Sequence, residues 1–148
     1  MQSNSSKSDM WLDKVATLIE SLPYMKQYSG LSVVIKFGGH AMGEQASIEA
    51  FASDIVLLQQ VGAKPVVVHG GGPQIGSMLA RLEMESNFID GLRVTDQQTI
   101  SIVEMVLAGA INKSLVASIS AAGGMSVGIS GKDGNLIIAK KLNHRTKD

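Results

Sequence analysis

Two stretches decide the fold: Leu31-Ser-Val-Val-Ile-Lys-Phe-Gly-Gly39 and Pro65-Val-Val-Val-His-Gly-Gly-Gly-Pro73. Each is a short, β-branched apolar run that enters a glycine cluster directly, which is the pattern of a buried strand ending in a tight turn. Between them Ile48, Phe51, Ala52, Ile55, Val56 and Leu58 recur at helical spacing, and the pattern ends near Gly62. After the second stretch Pro73 suits the first turn of a helix, where a missing N–H costs nothing, so a helix is expected over about Pro73 to Glu83. Strand, helix, strand, helix in that order implies an α/β fold with a mainly parallel open sheet covered on both faces.

Outward from this centre, residues 1–9 are polar and Ser-rich and are expected to be a disordered tail. They carry no apolar segment of the kind a secretory signal needs. A helix is expected over residues 10–29, with Trp11, Leu12, Val15, Ala16, Leu18, Ile19 and Leu22 on its stripe and Pro23 and Gly30 closing it. Residues 30–148 then form one lobe. Within it Ser86 to Val94 suggests a short β excursion turning at Asp90-Gly91. Thr95-Asp-Gln-Gln98 has capping-box spacing ahead of an apolar helical pattern from Ile100 to Leu107. A further helix is expected from about Asn112 to Ala121. Met125–Ile129 and Leu136–Ala139 complete the strand candidates, separated by a turn at Ser130-Gly-Lys-Asp-Gly134, before a charged end.

Composition narrows the function classes. Thirteen basic residues balance thirteen acidic ones, so no global field draws the chain to nucleic acid or an anionic membrane. Any phosphate binding has to be local. The absence of cysteine removes disulfides, thiolate metal sites and thiol nucleophiles. No run of eighteen apolar residues occurs, so no membrane span is expected, and the cytoplasm is the simplest compartment.

The glycine loops carry the chemistry. Glycines allow close backbone approach to an anion, and the amides and dipole of a following helix favour negative charge. In an open parallel sheet both loops lie at the carboxyl edge, where ligands bind. Neither loop fits a dinucleotide fingerprint or a Walker A motif: Ile75 stands where the former needs glycine, and Ser77 and Met78 where the latter needs Lys and Ser/Thr. Lys36, two residues before Gly38, is either a solvated strand-end charge or a cation for a transferring phosphoryl group. Arg93 is either a surface arginine or a bidentate carboxylate partner. Asn112 and Lys113 are polar helix-face residues or substrate contacts. His69 reads as a hydrogen-bonding residue rather than a base. Lys132-Asp133 by itself is a turn.

In order, IKFGG (35–39), VVVHGGGPQIG (66–76), IDGLRVTD (89–96), EMVLAGAINKSLV (104–116) and GISGKDG (128–134) resemble the N-acetylglutamate kinases of the amino-acid kinase family. The resemblance covers about Leu31 to Lys141. It implies a three-layer α/β/α sandwich whose N-terminal half binds N-acetyl-L-glutamate and whose C-terminal half binds most of the ATP, with Mg2+ accompanying the nucleotide. It assigns Lys36 to transition-state stabilisation and Gly38 and Gly39 to the phosphates. It assigns Gly71 and Gly72 to the substrate through backbone N–H groups, and Arg93 to the substrate α-carboxylate. Family members are about twice this length, so the chain is expected to be an N-terminal half that is inactive alone. Arginine-inhibited members carry an N-terminal helix that interlaces dimers into hexamers. Residues 10–26 resemble that helix, placing Tyr24 at the border of an L-arginine site; the other reading of the same residues is a helix packed on its own lobe.

Two other readings stay open at this level. One is another amino-acid kinase, such as a glutamate 5-kinase or a carbamate kinase, against which Gly-Leu-Arg-Val-Thr95 argues. The other is a non-catalytic module that binds acylated amino acids or assembles oligomers.

Overall fold

The structure is a computed structural model that describes residues 3–39 and 41–142. Met1 and Gln2 of the expected tail, and the charged end from residue 143, lie outside the described residues. Helix α1 (Ser3–Tyr28) leads into strand β1 (Ser32–Phe37), a short 3-10 turn (Ala41–Gly43) and helix α2 (Gln45–Gln60). Strand β2 (Lys64–His69) and helix α3 (Gly72–Arg81) follow. A small hairpin, β3 (Phe88–Ile89) and β4 (Leu92–Arg93), precedes one continuous helical run. That run comprises α4 (Gln97–Glu104), π-helical turns (Met105–Ile111) and α5 (Asn112–Ala121).

Strands β1 and β2 pair in parallel, from Ser32↔Lys64 through Phe37↔His69. Gly62 makes the entry to this pair compact. Its φ of +89° ends α2, and a Cβ there would lie 2.6 Å from Ser29 Oγ. The Gly62 carbonyl accepts from Gly30 N at 2.7 Å, and Lys64 N donates to Leu31 O at 2.8 Å, which sets the register at the first residue.

Alternation decides which face is buried. Val33, Ile35 and Phe37 on β1, with Pro65, Val67 and His69 on β2, form the covered face. Against it pack Ala52 and Ile55 of α2, Ile75 and Leu79 of α3, Val106 and Ile111 of the π turns, and Leu115 and Ile119 of α5. Phe37 stacks on Phe51 with ring centroids 3.9 Å apart. The opposite face is bare: Val34 is 70% exposed, and Val66 and Val68 are about half exposed. The α/β class and parallel pairing are as expected. Coverage on both faces is not found among the described residues, because every helix with buried positions sits on one side. Helix α1, which would supply another layer, keeps Trp11, Leu12, Leu18, Ile19 and Leu22 exposed.

Several local expectations are corrected. The helix expected to start at residue 10 begins at Ser3, and it continues through Pro23 to Tyr28. Pro23 therefore interrupts one backbone bond without ending the helix. The cap ahead of α4 is Asp96 rather than Thr95. Asp96 Oδ1 accepts from Thr99 N at 2.7 Å, while Thr95 Oγ1 donates to Arg93 O. That backbone hydrogen bond from Thr99 is the chief cause holding the Asp96 carboxyl below its ordinary value. The two helices expected around residues 100–107 and 112–121 are a single rod, because the π turns carry the chain across Ala108-Gly-Ala110. By length and composition the run Gln97–Ala121 could cross a membrane; here Val106, Ile111, Leu115 and Ile119 seat its apolar face in the core.

Neither Met125–Ile129 nor Leu136–Ala139 forms a strand. A strand needs a neighbour in its ladder, and among the described residues no backbone hydrogen bond joins either segment to β1 or β2. Side chains hold the first of them instead. Gln59 Nε2 donates to Met125 O at 2.7 Å, Lys113 Nζ to Gly128 O at 2.8 Å, and Asn112 Nδ2 to Ile129 O at 3.3 Å.

Candidate functional site

Both glycine loops emerge at the carboxyl edge of the β1–β2 pair. Gly70 N donates to Phe37 O at 3.2 Å, so the strand ladder extends one residue into the loops. Beyond it the two chains stay in contact: a Cβ built on Gly39 would lie 3.0 Å from Pro73 Cδ and 3.6 Å from Gly71 N. Gln74 ties them further, its Nε2 donating to Gly39 O at 3.2 Å. On their outer side the loops are open, since nothing lies within 4 Å of a Cβ position on Gly38 or Gly72.

Helix α3 starts at this point, with Gly71 as its N-cap and no acidic residue in its first turn. Its terminal amides and dipole are therefore not countered by a carboxylate of its own. An anion placed there meets unpaired N–H groups and a partial positive charge. Gly71 is fixed by packing. A Cβ on it would sit 2.5 Å from Ile111 Cδ1 and 2.6 Å from Leu107 Cδ2, both on the π turns. Gly71→Ala should thus lower stability by about 1–3 kcal/mol through overpacking. Gly38→Ala, with open space around it, should leave stability within about 0.5 kcal/mol. Urea unfolding of the two variants checks this; equal midpoints would mean that the π turns yield freely to the loop.

Lys36 lies on β1 beside Val68 of β2, on the bare face, and is exposed. It is two residues from the open Gly38. Arg93, at the end of β4, is half buried. Its guanidinium stacks over Phe88 at 4.6 Å, its Nη1 donates to Ser86 Oγ, and its Nη2 lies 4.0 Å from the Cβ position of Gly76 on α3. The hairpin thus brings Arg93 to α3 within about one turn of the glycine loop. Lys36, Gly38, Gly39, Gly71 and Gly72 are gathered at one sheet edge, with Arg93 beside them. Tyr24 is not gathered. It is exposed on α1, ahead of the amino end of β1, with a strand of roughly 20 Å between that end and the loops.

Other polar candidates have structural partners. His69 Nδ1 lies 3.0 Å from Gly70 O, and Asn112 and Lys113 hold residues 128–129. Lys132 pairs with Glu104 at 2.5 Å across two exposed side chains, a pair worth little in water. Asp133 accepts from the backbone N–H and hydroxyl of Ser130, and the backbone bond is the chief reason its carboxyl is held low. Among the described residues no group of three His, Asp or Glu side chains is placed to hold a metal ion. The residue that motif reading missed is Gln74. It bridges the loops, and its Oε1 is buried with no hydrogen-bond partner among the described residues. Its place one residue after Pro73, inside the first turn of α3, was the available signal.

A family model described as the amino acid kinase family matches residues 32–148. The chain is 60% identical to an acetylglutamate kinase of Rhodospirillum rubrum, over 93% of this chain and 44% of the relative. It is 53% identical to an acetylglutamate kinase of Rhizorhabdus wittichii, over 100% of this chain and 49% of the relative. Among solved structures it is similar to N-acetylglutamate synthase from Neisseria gonorrhoeae complexed with coenzyme A and N-acetyl-glutamate. The TM-score is 0.63 and the identity 28%, over 73% of this chain and 25% of that one. The same synthase with coenzyme A and L-arginine gives a TM-score of 0.57 at 28% identity, over 76% of this chain and 26% of that one. The chain spans about half the length of the curated relatives it matches.

Proposed function

The chain belongs to the amino acid kinase family, and from that premise we propose that it is the substrate-binding lobe of an acetylglutamate kinase. The complete enzyme would transfer the γ-phosphoryl group of ATP, carried with Mg2+, to the side-chain carboxylate of N-acetyl-L-glutamate. The carboxylate oxygen forms a bond to phosphorus, the bond to the ADP oxygen breaks, and an acyl phosphate and ADP leave. The attacking carboxylate is ionised at neutral pH, so no general base is required. What remains is positioning and charge stabilisation.

One observation carries this reading: two glycine loops abut at the start of a helix whose first turn lacks an acid, with Lys36 and Arg93 flanking them. In it Gly38 and Gly39 face the phosphates and Lys36 offsets charge on the transferring group. Gly71 and Gly72 present backbone N–H groups to the substrate, and Arg93 binds its α-carboxylate. The similar synthase structures, one with N-acetyl-glutamate and one with L-arginine, support these two compounds as substrate and effector. Tyr24 and α1 belong to the same reading as the border of the effector site and an oligomer contact, in a cytoplasmic homo-oligomer of dimers or hexamers.

The test is a chimera of residues 1–148 joined to the second half of the Rhodospirillum rubrum relative. ADP release should depend on N-acetyl-L-glutamate and not on glutamate or carbamate. Release with glutamate alone would assign a different amino-acid kinase. Calorimetric titration of N-acetyl-L-glutamate into the chimera then isolates Arg93. Losing a charge-assisted bond worth about 1.5–3 kcal/mol predicts affinity weaker by roughly 10- to 100-fold in Arg93→Ala. Unchanged affinity would remove Arg93 from the site.

A further inference from the structure

The two glycine loops are anchored unequally. Gly71 is wedged against Leu107 and Ile111 at the head of α3, whereas Gly38 has open space around its Cβ position. Among the described residues two hydrogen bonds join the loops. Gly70 N donates to Phe37 O at 3.2 Å, and Gln74 Nε2 donates to Gly39 O at 3.2 Å. Only the second reaches past the end of β1. With Gly71 as N-cap, Gln74 is the third residue of α3. A glutamine at that position commonly turns back to the N–H of its own N-cap. Gln74 does not: its Oε1 is buried without a partner among the described residues, and its Nε2 crosses 35 residues to the other loop. The Gly71 N–H is therefore not taken by this side chain and stays available to an anion. An unpaired buried acceptor also costs stability. The amide thus loses at one end much of what it gains at the other, so stability is a poor account of the bond.

We infer that Gln74 is a positioning residue for phosphoryl transfer, which ties the phosphate loop at Gly39 to the anchored substrate loop at Gly71 and so fixes the span between the two reactants. The inference rests on the kinase reading above, in which Gly38 and Gly39 face the phosphates and Gly71 and Gly72 face the substrate. Direct attack of the carboxylate on phosphorus needs the reacting atoms held roughly 3–3.5 Å apart and in line. Each loop can bind its own anion without the other, because backbone N–H groups and the helix dipole are local. Their relative placement is what a cross-loop bond adds. The Gln74 side chain touches neither reactant in this account; it acts through the Gly39 carbonyl. Losing it should leave both ligands bound and misalign them, a loss that falls on kcat and not on affinity.

Gln74→Met and Gln74→Glu in the chimera test this. Methionine keeps the unbranched stem without the amide, and glutamate keeps the shape but has no donor at neutral pH. Both should lower kcat by about 10- to 100-fold, the scale of a small misplacement of reactants. Calorimetric affinity for N-acetyl-L-glutamate and KM for ATP should change less than about threefold in Gln74→Met. Its urea midpoint should not fall, because the unpaired acceptor goes with the amide. The Gly70 amide, next to the tie, should exchange at least about 10-fold faster in Gln74→Met, in the chimera and in the 148-residue chain, as a locally loosened bond does. Three results overturn the proposal: kcat within about threefold of the parent in either variant, an affinity loss that matches the loss in kcat, or a midpoint that falls with the activity. Unchanged exchange at Gly70 does so too, since the loops would then be held without Gln74. Exchange also separates the two readings. Faster exchange at Gly70 in a chimera whose parent releases no ADP keeps the tie and removes the kinase, whereas an active parent with kcat unmoved in the variants removes only the role of Gln74.

Discussion

Lys36→Met, introduced into the chimera, should lower kcat by about 100- to 1000-fold while changing the calorimetric affinity for N-acetyl-L-glutamate less than about threefold. The range is that of removing one preorganised charge partner from a transition state. Three features set the expectation. Lys36 lies two residues before the open Gly38, on the face opposite the packed Phe37. Its neighbours Val34 and Val68 are exposed, so no packing depends on it in this lobe. Methionine keeps an unbranched stem, which confines the change to the charge. An interaction made only in the transition state lowers kcat and kcat/KM together. A rise in KM with kcat intact would show Lys36 to be a ground-state binding group, and kcat within threefold of the parent would remove it from catalysis.

The largest loss of stability is expected from Leu79→Ala. Leu79 is 0% exposed and packs in one cluster with Phe37, Ile75, Val106, Ile111 and Leu115. It thus joins α3 to the sheet, the π turns and α5 at once. Truncation removes three buried carbons and leaves a cavity whose lining comes from four elements, which limits collapse. The cost should be about 3 kcal/mol, within the range for buried Leu→Ala changes, or roughly 10 °C in Tm for a chain of this size. Val34→Ala on the bare face serves as reference and should shift stability by less than about 0.5 kcal/mol. Thermal unfolding of the three proteins decides the matter. Equal Tm values for Leu79→Ala and the parent would mean that the helical layer is loosely seated.

The strands β1 and β2 and the two glycine loops were legible because every signal there is local. A β-branched run, its stop at glycine and a proline in the next first turn lie within a dozen residues. The hairpin around Asp90-Gly91 was visible for the same reason. What the residues could not disclose was non-local. Met125–Ile129 has the composition of a strand, yet strand status depends on a neighbour, and β2 lies across a groove. Pro23 marks a helix end by propensity, but one lost bond in a long helix is tolerated. Thr95 and Asp96 both satisfy cap preferences, and only the geometry shows that Asp96 reaches Thr99 while Thr95 turns back to Arg93. At the site, glycine spacing marked the backbone but said nothing of Gln74, whose bridge to Gly39 spans 35 residues.

The π turns between α4 and α5 also settle how one rod serves two neighbours. Buried positions step from Val106 to Ile111, a spacing of five, and then to Leu115 and Ile119 at spacings of four. An α-helix advances about 100° per residue, whereas the wider π turns, bonded i→i+5, advance less, so the five-residue step inside them keeps the apolar stripe nearly in line with the four-residue steps that follow. Ahead of it the rod lies against α3; after it the rod lies against α2. The wide turns act as a spacer: they absorb one extra residue without losing the apolar stripe where the rod's neighbour changes from α3 to α2, and the glycine loop at Gly71 is wedged against that point.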